Sequence, residues 1–175
     1  QAALSFRMTS LDYGSWPSSI SAAMAGAGGR NISQLQCDSN ALYWVETRPA
    51  EGGRQTLQRL DLATKHVVEL TPAHLNVRSR VHEYGGGAYA VRSGEVVFSH
   101  DGDRQLQRTQ AGQTPGTLTR AAHCRYADMS ADFARGQWLT VVEDHATQPP
   151  RNLIAAIDSA TGTQRALHEG RDFYA

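Results

Sequence analysis

Arg80, His82, Glu83 and Tyr84 stand together in the stretch RVHEYGGGAYAV, residues 80 to 91, and Gly85, Gly86 and Gly87 follow them directly. A guanidinium, an imidazole and a carboxylate this close can hold a charged ligand, and a carboxylate here can pair with the free amino group of a peptide. Three residues without a Cβ permit positive φ and the close approach of another backbone. They therefore suit a surface against which a ligand backbone lies, and equally a tight bend into a strand held by local hydrogen bonds. The residues alone leave both readings open.

Other chemistries fail on pattern. No G-x-x-x-x-G-K-[ST] is present, and the three glycines lead into a strand-like run where a phosphate loop would lead into a helix. There is no G-x-S-x-G nucleophile elbow and no H-E-x-x-H. The histidines, at 66, 74, 82, 100, 123, 145 and 168, pair nowhere at helical ligand spacing, and Cys37 and Cys124 are isolated. Glu143-Asp144-His145 could be drawn as an acid–base group, but neighbours on a strand point to opposite faces, so Glu143 and Asp144 cannot share a proton. A strand-end turn accounts for them. His100-Asp101-Gly102-Asp103 begins like a calcium loop without its spacing or terminal glutamate, and reads as a hairpin turn. No catalytic residue is assigned, and no cofactor or metal is expected.

The elements that position these residues are β-strands. The chain has 175 residues, 40% hydrophobic and 19% charged, which suits one globular unit with a core. Seventeen basic residues balance seventeen acidic ones, so there is no electrostatic footprint for nucleic acid or an anionic membrane. No apolar run reaches the roughly 18 to 20 residues of a membrane span, and QAALSFRMTS lacks the pattern of a signal peptide. A cytoplasmic protein is expected. Strand-like runs, rich in β-branched and aromatic residues and bounded by turn formers, cover 33–36, 41–47, 56–62, 66–71, 88–92, 95–100, 105–109, 138–143 and 152–158.

The runs repeat. Leu57-Gln58-Arg59 recurs as Leu106-Gln107-Arg108 and Leu70-Thr71 as Leu118-Thr119, at offsets of 49 and 48 residues. Asp61, Ala63, Thr64 and Leu70 recur as Asp158, Ala160, Thr161 and Leu167, all at 97, about twice that period. Each repeat holds an inner strand, a more hydrophobic second, a third ending in a polar turn (DLATK, TQAGQ, DSATG) and a short fourth. Inner strands carry a Tyr-Ala pair, at 89–90, 126–127 and 174–175. The fold class expected is all-β: about three four-stranded antiparallel blades of an incomplete β-propeller over 31–175, repeating near 48 residues. Residues 1–30 form an extension with a short helix, capped by Ser18 or Ser19 and ending near Gly26. A β-sandwich of about nine strands is the competing architecture. An array cut after three blades leaves an apolar face and a strand edge open, so self-association or a further segment is expected to cover that edge.

The segments YGSWPSSIS (13–21), ALYWVETRPAEGGRQTLQR (41–59), LTPAHLNVRSRVHEYGGGAYAV (70–91), RYAD (125–128) and RDFYA (171–175) together resemble the N-terminal propeller region of bacterial peptidases of the prolyl oligopeptidase family. The branch they resemble is that of dipeptidyl aminopeptidases and acylaminoacyl-peptidases. The resemblance implies a two-domain serine peptidase acting on short peptides or acylated amino acids. Its propeller, commonly of seven blades, covers a C-terminal α/β-hydrolase domain that carries the Ser-Asp-His triad. On this reading the partners of the present chain are that hydrolase domain and a peptide substrate, and its role is to select substrates. Dipeptidyl peptidases of this superfamily hold the substrate's amino terminus with paired glutamates, and this chain has no Glu-Glu pair. Glu83 alone, oriented by Arg80 or His82, is the candidate for that contact. The alternative function is a non-catalytic propeller module binding a protein partner, although the G-H and W-D signatures of WD-type repeats are missing.

Overall fold

The computed structural model describes residues 29–170 together with 12, 14, 15, 17–21, 24 and 174. They form three four-stranded antiparallel sheets, each made of strands consecutive in sequence. The first holds β1 (Asn31–Asp38), β2 (Ala41–Arg48), β3 (Arg54–Asp61) and β4 (Val67–Glu69). The second holds β5 (Tyr89–Arg92), β6 (Glu95–Ser99), β7 (Leu106–Thr109) and β8 (Gly116–Thr117), and the third β9 (Cys124–Asp132), β10 (Gln137–Asp144), β11 (Arg151–Asp158) and β12 (Gln164–Glu169). Strand β5 lies beside both β1 and β9, so the first strands of the sheets converge. These are blades of an incomplete propeller, as the repeat predicts.

Several of the repeated residues make the same hydrogen bonds in two of the three blades. Asp61 Oδ1 accepts from the amides of Ala63 (3.0 Å) and Thr64 (2.9 Å), and Asp158 Oδ1 does the same for Ala160 (3.0 Å) and Thr161 (2.7 Å). A side chain that satisfies the backbone two and three residues on is what closes such a turn. Thr71 Oγ1 accepts from the Leu57 amide at 3.0 Å, and Thr119 Oγ1 from that of Leu106 at 2.9 Å, pinning each fourth strand to its third. The third copy keeps the turn but not the buried leucine. Leu70 and Leu118 are buried, whereas Leu167 falls where the β11–β12 register shifts and is 43% exposed.

The cores lie between blades. One packs Tyr43, Val45, Leu57 and Leu70 of the first blade against Tyr89, Val96 and Phe98 of the second; the other packs Ala90, Val97, Leu106 and Leu118 against Tyr126, Trp138, Leu153 and Ile157 of the third. Successive strand residues face opposite sides. Tyr89 therefore enters the core with the preceding blade and Ala90 the core with the following one. Tyr126 and Ala127 divide in the same way, and Tyr174 packs on Ala127 and Val141, against the blade before it.

Three strands escaped the sequence reading of strand-like runs. β8 is two residues long, β9 (CRYADMSAD) mixes small and polar residues, and β12 (QRALHE) is mostly exposed, so none shows β-branched patterning. Near the N-terminus Ser18 Oγ accepts from the Ile20 amide and Ser21 Oγ from the Met24 amide, each at 3.0 Å. The expected helix body through Gly26 lies outside the described residues, as does Ala175 of the last Tyr-Ala pair.

Equivalent turn positions differ in what surrounds them, which gives a test. Gly162 has φ +72°, and a Cβ there would drive into the Leu118 carbonyl, whereas Lys65, at the matching place in the first blade, has φ 59° in the open. Gly162→Ala should destabilise the chain by more than about 1 kcal/mol, and Lys65→Gly should change stability by less than about 1 kcal/mol, in urea unfolding.

Candidate functional site

Residues 70–88 lead from β4 across to β5, and their path is fixed before any ligand is considered. Val77 bridges His100 in antiparallel fashion, the Arg78 amide donates to the Ser99 carbonyl at 3.0 Å, and Ser79 Oγ donates to the Tyr126 carbonyl at 2.8 Å. A turn follows, with the Glu83 amide donating to Arg80 O (3.1 Å) and the Gly85 amide to Val81 O (2.9 Å). His82 and Glu83 both take the left-handed conformation, at φ 54° and 67°. Two consecutive non-glycine residues in that region are costly, and such strain collects at functional sites.

The glycines meet their own chain, not a ligand. A Cβ on Gly86 would lie 2.6 Å from Asp128 Oδ2, and one on Gly87 would lie 2.8 Å from Asp128 Oδ1. Asp128, itself at φ 53° where β9 bulges against β10, accepts from the Gly87 amide at 2.6 Å and donates its own amide to Gly87 O at 2.8 Å. On the other side Gln34, at φ 53° in the matching bulge of β1, accepts from the Ala88 amide at 2.7 Å. The flanking blades thus grip successive amides of the segment that becomes β5.

Of the four residues singled out from the sequence, Arg80 and Glu83 line one cleft while His82 turns inward and Tyr84 faces solvent. Arg80 is taken by Asp101 in a two-point ion pair, 2.5 and 3.0 Å, and does not orient Glu83. His82 turns inward, its side chain 11% exposed, with Nδ1 3.7 Å from Glu143 Oε1. Tyr84 is exposed, with its ring 5.9 Å from that of His82. Glu83 stands 79% exposed and receives a hydrogen bond from Arg125 Nη1 at 2.6 Å. Its orienting partner is therefore Arg125, which the sequence did not point out.

Arg125 is the second residue of β9 and cross-strand partner to Glu143 of β10. Its Nη1 also donates to the Arg80 carbonyl at 3.0 Å and stands 3.3 Å from Glu143 Oε2. Glu143 is buried and takes His145 Nε2 at 2.8 Å, while Asp144 turns away to Arg151 at 2.7 Å. The division of Glu143 from Asp144 is as the strand geometry predicts; the pairing of Glu143 with His145, two residues on and so on the same face, is what that reading passed over.

The electrostatics follow from these contacts. The hydrogen bond from Arg125 holds the Glu83 carboxyl below the ordinary carboxylate range, and the Arg80 guanidinium does the same for Asp101. Arg80, Glu83, Asp101, Arg104 and Arg125 line a cleft of about 170 Å³. A larger groove of about 700 Å³ runs beside the RPAEGGR segment, but its charges satisfy one another: Arg48 binds Glu69 at 2.7 Å, and Arg54 binds Glu51 at 2.6 Å and Glu69 at 3.0 Å. That network ties the β2–β3 hairpin to the end of β4. The smaller cleft offers a carboxylate with one oxygen held and its body in solvent, able to accept from a cation. Among the described residues no group of three or more His, Cys, Asp or Glu could hold a metal ion, and no helix is long and apolar enough to cross a membrane.

No family model matches the chain, and no curated protein does. Solved structures do. A puromycin-hydrolysing peptidase of Mycobacterium tuberculosis matches with a TM-score of 0.79 and 35% identity, over 96% of this chain and 27% of its own. Puromycin hydrolase matches with a TM-score of 0.79 and 29% identity, over 93% of this chain and 28% of its own. A chain of a nidogen/laminin complex, at TM-score 0.52 and 14% identity over 80% of this chain and 49% of its own, shares the fold alone. The chain spans little more than a quarter of the length of the peptidases it matches. In sequence and in fold it is homologous to the propeller part of the puromycin-hydrolysing peptidases, within the prolyl oligopeptidase family.

Proposed function

We propose that this chain is the substrate-selecting propeller portion of a serine peptidase whose Ser-Asp-His triad lies in a C-terminal α/β-hydrolase domain of the same protein. The observation that carries the reading is the 35% identity over 96% of the chain to a puromycin-hydrolysing peptidase. The substrates are short peptides or acylated amino acids, admitted according to what the propeller side of the chamber accepts. Puromycin, hydrolysed by the matching enzymes, is an aminoacyl amide with a free amino group. An ammonium of that kind is what the exposed Glu83 carboxylate is suited to accept, which favours an aminopeptidase over an acylaminoacyl-peptidase. Arg80, His82 and Tyr84 form the surround of that contact, with no catalytic role. A reducing, cytoplasmic setting is in keeping with the free thiols of Cys37 and Cys124. The outer faces, where Ile32 and Leu35 are 60% and 63% exposed, are covered by the further blades of the same protein, or by self-association when the chain is alone.

Kinetics on the full-length protein test this. Glu83→Gln should lower kcat/KM for free-amine peptides by about tenfold or more while leaving N-acylated peptides within a factor of about two, since a hydrogen bond to a charged partner is at stake. Equal values for Glu83→Gln and the parent enzyme on both classes would remove Glu83 from the site. Arg80→Gln should also act on stability. Asp101 has a folded pKa below its unfolded value, so its ion pair stabilises above the unfolded pKa near about 3.9 and the contribution is lost as pH falls through the folded value. The variant should therefore be less stable than the parent at neutral pH, with the gap closing in acid, as followed by thermal unfolding against pH.

A further inference from the structure

Arg125 Nη1 carries two protons and has two hydrogen-bond acceptors, Glu83 Oε1 at 2.6 Å and the Arg80 carbonyl at 3.0 Å, with Glu143 Oε2 at 3.3 Å as a third, purely ionic neighbour. The arginine side chain is 11% exposed and Glu143 9%, whereas Glu83 is 79% exposed. The guanidinium is thus held from behind by buried groups and presents one proton outward. We propose that Arg125 is the positioning residue of the ammonium site, fixing Oε1 of Glu83 so that Oε2 is left to accept from the free amino group of the substrate. The inference rests on the reading of Glu83 given above and names what orients it.

Three features carry it. Glu83 sits on a strained turn, with φ positive at both His82 and Glu83, so its backbone is set before the side chain is. Its carboxylate would otherwise sample many rotamers, and a held oxygen removes that freedom before substrate arrives. The hold itself is rigid, because Arg125 is at the first ladder positions of β9 and faces Glu143 across the ladder. The charged groups around Glu83 are Arg125 from β9, Arg104 from the β6–β7 turn, Arg80 from its own loop and His145 beyond β10. Around Glu143 they are Arg125, His145 and His82. Of these only Arg125 donates a hydrogen bond to Glu83.

The test uses the full-length protein and the ratio of kcat/KM for a free-amine peptide to that for its N-acetylated form, measured across pH. Arg125→Gln should lower the ratio by about threefold to tenfold through KM, leaving the acetylated substrate unchanged. It should also move the acid limb of the ratio upward, because the binding-competent form of Glu83 is the anion and its carboxyl returns toward the ordinary range without the guanidinium. Arg125→Lys should restore part of both. Should Arg125→Gln fail to fold, Glu143→Gln reads the same point, removing the rear hold without touching Glu83, and should lower the ratio by about twofold or more. An unchanged ratio in these variants overturns the proposal, as does a rise, which would make Arg125 a competitor of the ammonium. An equal fall for both substrates also overturns it, since that is a structural role. If Glu83→Gln itself leaves the ratio unchanged, the ammonium reading fails; if Glu83→Gln lowers it and the Arg125 variants do not, only the positioning role fails.

Discussion

The second blade buries both of its faces, and that constraint organises the chain. Tyr89, Val96 and Phe98 pack on the first blade while Ala90, Val97 and Leu106 pack on the third. Along β5 and β6 Tyr89, Ala90, Val96, Val97 and Phe98 therefore alternate between the two cores, and each fully buried aliphatic or aromatic side chain contributes about 1.5–3 kcal/mol relative to exposure. Each of the two large cores is shared between adjacent blades, the arrangement by which repeats stabilise their neighbours. The Tyr-Ala pair is the smallest expression of this rule. A large ring reaches back to the preceding blade, and a methyl group leaves room for the following one.

Convergence of the inner strands imposes a second requirement, that their backbones approach closely without burying unpaired amides. Bulges at Gln34 and Asp128 meet it. Each turns one residue of an inner strand into the left-handed region and sends its side chain to an amide of residues 87–88. Only residues without a Cβ fit at 86 and 87, where Asp128 stands within 3 Å of the position a side chain would take. The glycine run is thus explained by its own neighbour, and the functional question moves from the glycines to the turn before them.

Much of the architecture was legible because repeated residues are repeated contacts. Asp61 and Asp158 close the same turn, and Thr71 and Thr119 pin the same strand, so the sequence repeat marks recurring hydrogen bonds. β9 and β12 were harder to read, since a strand lining the converging centre or the outer rim has no need of β-branched residues. The site was legible only in part. Glu83 stood out because its neighbours in sequence are charged, yet its true partner lies 42 residues away on β9. Local proximity suggested Arg80 and His82, and the fold sends those side chains to Asp101 and toward Glu143. Cross-strand pairing, which only register decides, brought Arg125 and Glu143 together.

Burial decides which end of this charge relay can move. Withdrawing one partner from a buried ion pair typically costs about 3–5 kcal/mol, because the charge left behind has lost its water. Arg125 is bound by that cost to Glu143, which is 7% exposed and shares its carboxylate with His145 as well. The contact from Arg125 to Glu83 carries no such penalty, since Glu83 is largely in water and keeps its hydration when the pair opens. The strained turn limits how far the Glu83 carboxylate can swing, so a rigid donor lies behind it and a tethered acceptor in front.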